Sequence, residues 1–106
     1  MDMVASAAYY IFLACDERIV FKNTALLQHE GDIEVGNSSR KAADTMAFFD
    51  TMENKTKEFV LAHTNMTAEF YDEIHVREYW MYPERAKELG VIDKIVGVDC
   101  DIDYIL

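Results

Sequence analysis

Nucleophilic chemistry in this chain has one evident starting point, Ser6, and three imidazoles that could serve it: His29, His63 and His75. A serine hydroxyl is a poor nucleophile until an imidazole within hydrogen-bond reach takes its proton. That imidazole in turn needs a third group to fix its tautomer. Ser6 lies in the run Val4-Ala5-Ser6-Ala7-Ala8, where small neighbours let other backbone approach the hydroxyl. The apolar helix predicted to follow would aim its N-terminal amides, and the positive end of its dipole, at whatever sits beside Ser6. Such a place can stabilise an oxyanion. Serine is equally a good helix N-cap, so the local string leaves both readings open. Of the histidines, His29 closes a predicted strand, from which a side chain can project toward a helix N-terminus. His63 ends a long helix and reads as a favourable charge at a C-terminus. His75 belongs to a charged stretch expected to be exposed.

Other chemistries find little support. The histidines are not spaced to bring two onto one helix face with a carboxylate, and no CxxC exists, so no metal site is expected. Neither GxGxxG nor GxxxxGK[ST] occurs, so nucleotide phosphates have no motif to bind and no cofactor is implied. Cys15 and Cys100 are far apart; two thiols in a reducing compartment are expected over one disulfide. Asp101 and Asp103 in the tail read as a solvated strand face. Ten basic against twenty acidic side chains give a formal charge of −10. That argues against a nucleic-acid partner and against docking on anionic lipid. Met1-Asp2-Met3 lacks a basic leader, and the apolar run after it is too short to span a bilayer, so a cytoplasmic protein is expected.

The elements that must position these residues follow from periodicity. A helix is predicted over 5–14, apolar on every side and therefore needing cover on both faces. Short apolar runs at 19–21 and 25–29 read as buried parallel strands, with a turn at Lys22-Asn23-Thr24 between them. A polar connection from Gly31 to Gly36 leads to a long helix, capped by Asn37 or Ser38 and ending near His63. Its stripe of Ala42, Ala43, Met46, Phe49, Met52, Thr56, Phe59, Val60 and His63 reads as core or subunit contact. Thr67 caps a shorter helix, 68–75; 79–81 is extended; Pro83 opens a helix that Gly90 ends. A strand over 91–96 and an acid-alternating edge strand over 99–106 complete the pattern. Helices alternating with short buried strands make the fold class α/β. The strands lack neighbours and only four residues precede the first helix, so part of the domain is expected to lie elsewhere.

In order, Val4-Ala5-Ser6-Ala7-Ala8, Arg18 with Lys22-Asn23-Thr24, and Leu26-Leu27-Gln28-His29 resemble the proteolytic subunit of the Clp protease. So does the later block Trp80-Met81-Tyr82-Pro83-Glu84-Arg85-Ala86-Lys87-Glu88-Leu89-Gly90-Val91-Ile92-Asp93, the most specific part of the likeness. The resemblance runs from Val4 to Val96. It implies a Clp-protease/crotonase-like fold, of which residues 1–106 would be the C-terminal portion of one peptidase domain. It implies Ser6 as nucleophile, His29 as base, the Ala7 N–H as an oxyanion donor, and the triad acid at Glu78, two positions before the aromatic Trp80. It also implies ring-forming homo- or hetero-oligomers, an ATP-dependent unfoldase partner and polypeptide substrates.

Several positions depart from the family pattern. Glu78 replaces an aspartate, Asp2 stands where glycine is usual, Lys22 replaces the turn proline, and Glu30-Gly31 replaces Gln-Pro. A half-domain ahead of the serine, with a glycine-rich donor of the second oxyanion amide, has no counterpart in the sequence. Three readings follow: a serine peptidase subunit completed by a separately encoded N-terminal half, a non-catalytic structural or regulatory subunit, or the back end of a longer gene. A crotonase-type acyl-CoA chemistry shares the oxyanion geometry, but the Ser6 and His29 order favours a peptidase.

Overall fold

The computed structural model describes residues 3–4, 6–29 and 39–106. The predicted connection over 31–36 and the caps Asn37 and Ser38 lie outside these. Two small sheets are formed among the described residues. In the first, β3 (Ala25–Gln28) is central, paired parallel to β1 (Met3–Val4) and antiparallel to β4 (Tyr79–Met81). In the second, β2 (Ile19–Val20) runs parallel to β5 (Lys94–Ile95). Leu26, Leu27 and Gln28 are all buried, as a strand covered on both faces requires.

Helix α1 (Ser6–Leu13) packs on β3 through Tyr9 and Leu13, one turn apart and both buried. The expected burial of this helix on every side is not observed. Ile11 is 70% exposed, because no described element of the chain covers the face opposite Tyr9 and Leu13. The long helix α2 (Ser39–His63) spans about 37 Å at 1.5 Å per residue. Only Val60 of its apolar stripe is buried; Met46 and Met52 are exposed, as is Phe48 beside them. The core therefore engages the last turns of α2 and leaves the first half projecting.

Thr67 caps α3 (Ala68–His75), its hydroxyl accepting from the Phe70 N–H at 3.1 Å. Pro83 occupies the first turn of α4 (Pro83–Glu88), and Gly90 leaves that helix with φ +72°. There the Asn65 N–H donates to the Leu89 carbonyl at 2.7 Å, tying the α2–α3 junction to the end of α4. Arg18 makes a second tie, donating from its guanidinium to the His63 carbonyl at 2.8 Å while its backbone N–H meets the Asp93 carboxylate. Val60, Tyr71, Ile74, Met81, Ala86, Val91 and Ile95 close one core beneath both sheets.

Two predicted strands are altered. The strand over 91–96 shrinks to β5, because the amides of Val91 and Ile92 both turn back to the Ala86 carbonyl. The tail forms no edge strand: Gly97, at φ +89°, reverses the chain, Val96 and Cys100 make a single bridge, and Ile102–Tyr104 is a turn of 3-10 helix. Cys15 and Cys100 are free thiols. No described helix is long and apolar enough to cross a membrane.

Candidate active site

Ser6 is the first residue of α1 and Ala7 the second. The strand before them, β1, ends at Val4, which lies level with Leu26 in the parallel register. On the other side of β3 the antiparallel ladder pairs Leu26 with Met81, Leu27 with Trp80 and Gln28 with Tyr79. The next cross-strand pair in that register is His29 and Glu78, just past the ladder's end; such neighbours have Cβ atoms about 4.5–5.5 Å apart within a sheet. β1 and β3 thus end, and β4 begins, at the same edge of the three-stranded sheet, and Ser6, His29 and Glu78 follow or precede those ends by one or two residues in sequence.

Side-chain contact is a separate matter. His29 is half-buried and Glu78 is exposed, and among the described residues no hydrogen bond joins the two. The His29 carbonyl accepts from the Tyr10 hydroxyl at 3.4 Å, which links the end of β3 to α1. His63 ends α2 as expected, its Nδ1–H donating to the Phe59 carbonyl at 2.8 Å.

His75 corrects the sequence expectation. It is only 8% exposed, with Gln28 Nε2 at 3.0 Å from its Nδ1 and Glu53 Oε2 at 2.8 Å from its Nε2. Tyr71 stacks on its ring at 4.5 Å, and the Tyr71 hydroxyl lies 3.3 Å from Nε2. A charged neighbourhood in sequence pointed outward, whereas the last turn of α3 rotates His75 onto the buried end of β3. The only sequence signal was its spacing four residues from Tyr71. Burial raises the Tyr71 hydroxyl well above its ordinary pKa, with Tyr10 and Glu53 adding to the effect. Tyr10 is raised by burial and by Glu53, while a hydrogen bond with Gln28 pulls it the other way. Both phenols therefore stay neutral beside the His75–Glu53 pair.

A cavity of about 250 Å³ is lined by Ala25, Trp80, Met81 and Tyr82. It lies at the end of the β3–β4 pair away from His29 and Glu78, since Ala25 and Tyr82 flank the opposite end of the ladder. It therefore contributes no group to the proposed chemistry.

The Clp protease family model matches residues 1–99, and the chain belongs to that family. None of the curated proteins compared with it matches.

Proposed function

We propose that this chain is a Clp-type serine peptidase subunit in which Ser6, His29 and Glu78 form the triad. The supporting observation is the sheet topology: β1 and β3 end, and β4 begins, at the same edge of one sheet, and Ser6, His29 and Glu78 stand within two residues of those strand ends in sequence. In this reading His29 removes the Ser6 proton as Ser6 attacks a peptide carbonyl. Glu78 orients the imidazole and offsets the positive charge it acquires. The Ala7 N–H, at the start of α1, donates to the developing oxyanion. His29 then protonates the leaving amine, and water, deprotonated by the same imidazole, hydrolyses the acyl-enzyme. Glutamate is one methylene longer than aspartate, and its carboxylate would turn toward the imidazole in the assembled site.

The second oxyanion donor and the cover for Ile11 would come from a separately supplied N-terminal half, within a ring-forming oligomer fed by an ATP-dependent unfoldase in the cytoplasm. In that reading both oxyanion donors act together, and loss of either would cost about 10²–10³ in rate. The test is hydrolysis of a fluorogenic peptide by the chain mixed with the N-terminal half of a Clp peptidase. Hydrolysis that disappears in Ser6→Ala and in His29→Ala is expected. A folded mixed complex whose hydrolysis is unaffected by either substitution, or absent altogether, overturns the assignment.

A further inference from the structure

We propose that Gln28, His75 and Glu53 form a chain of positioning residues that aims His29 from the opposite side of β3. The proposal rests on reading His29 as the base. Gln28 is the last residue of β3 and is fully buried. Gln28 and His29 share a peptide, so anchoring the Gln28 amide at the end of β3 restrains the backbone from which the His29 side chain departs. The anchor is His75: its Nδ1 accepts from Gln28 Nε2 at 3.0 Å. A neutral ring that accepts at Nδ1 carries its proton on Nε2, where it donates to Glu53 Oε2 at 2.8 Å.

Each link comes from a different element. Glu53 belongs to α2, His75 and the stacked Tyr71 to α3, and Tyr10, which donates to the His29 carbonyl, to α1. Lys57 of α2, whose ammonium pairs with Asp72, lies 6.0 Å over the Tyr71 ring. These contacts constrain the His29 backbone from two directions. Neither Gln28 nor His75 nor Glu53 touches the proposed reacting atoms, so their effect must pass through His29.

The test compares His75→Leu with His75→Asn in the full chain. Asparagine Oδ1 falls close to the place of Nδ1 and can accept from Gln28, whereas leucine leaves that amide without its acceptor. Two readouts are followed: the imidazole resonances of His29 by 1H–13C NMR, and the rate at which a fluorophosphonate probe labels Ser6. His75→Leu is expected to move the His29 resonances and slow labelling about 10- to 100-fold, as a misplacement approaching 1 Å would. His75→Asn is expected to return both close to wild type. Should His75→Leu not fold, the less buried Glu53 decides: Glu53→Gln keeps an acceptor for Nε2–H and should be silent, and Glu53→Ala should reproduce the leucine effect. Unchanged His29 resonances in His75→Leu, or in Glu53→Ala, would overturn the positioning role. If wild-type Ser6 is not labelled, the peptidase assignment fails, while the NMR comparison still decides the positioning role.

Discussion

Replacing Glu78 by glutamine separates an orienting role in catalysis from any role in the fold. Glu78 is exposed and precedes β4, and among the described residues its carboxylate has no hydrogen-bond or ion-pair partner. A surface substitution of this kind changes stability by no more than about 0.5 kcal/mol. Removing the acid from a serine triad costs on the order of 10⁴ in turnover, which is about 5 kcal/mol of transition-state stabilisation. Exposure tempers this figure, since a solvated carboxylate holds a partner by only about 0.2–1 kcal/mol before substrate excludes water. The expected loss for Glu78→Gln is therefore roughly 10²- to 10⁴-fold, or about 3–5 kcal/mol. Glu78→Asp should retain more activity than Glu78→Gln, because it keeps a carboxylate across the strand pair. The assay is the second-order rate of Ser6 phosphonylation, run beside the thermal midpoint of each variant. Unchanged midpoints with a Glu78→Gln rate within threefold of wild type, in a preparation where His29→Ala is inert, would remove Glu78 from the triad.

Three further outcomes are expected. Gly90→Ala places a Cβ 2.7 Å from the Asn65 side chain and 2.8 Å from its backbone nitrogen at φ +72°; the left-handed conformation alone costs about 1–2 kcal/mol, and a total loss of roughly 2–4 kcal/mol should register in urea titration. Tyr9→Phe removes a buried hydroxyl that has no partner among the described residues and should leave the protein as stable or up to about 1 kcal/mol more stable at pH 7. Burial, with help from Tyr10 and Tyr71, raises the Tyr9 pKa, so its contribution is fully present below about pH 10 and lost as pH rises further. Tyr9→Phe should accordingly flatten the alkaline limb of the stability profile. At the other extreme, hydrogen bonds from Lys94 and then Tyr104 hold the Glu17 carboxyl below its usual range. That contribution is present above about pH 4.3 and lost as pH falls through the depressed value, so amide exchange at 102–105 should speed up there in wild type and show no such step in Glu17→Gln.

Much of the fold was legible because short-range rules decide it. Thr67 caps α3, Pro83 opens α4 and Gly90 ends it, each acting within a turn of its own position. The same holds for β3, whose unbroken apolar run declares cover on both faces. The departures arise where distant segments compete for backbone groups. The Ala86 carbonyl captures the amides of Val91 and Ile92 and shortens β5, and the turn at Gly97 withdraws the acid-alternating tail from the sheet edge. At the candidate site, the order of Ser6, His29 and Glu78 could be read from the sequence, and the ladder shows that the strands beside them end or begin at one edge of the sheet. His75 could not be read, since its partners Gln28 and Glu53 lie 47 and 22 residues away and no local pattern announces them. The apolar stripe of α2 was legible as a stripe; its periodicity does not say what covers Met46 or Met52.

The central claim is that Ser6 is a nucleophile activated by His29. The most direct measurement is mass-spectrometric mapping of a fluorophosphonate adduct on the chain assembled with a Clp peptidase N-terminal half. A single adduct on Ser6, absent in His29→Ala while the assembly stays folded, is the expected result. An intact assembly with Ser6 unmodified, or with the adduct formed equally well without His29, would contradict it.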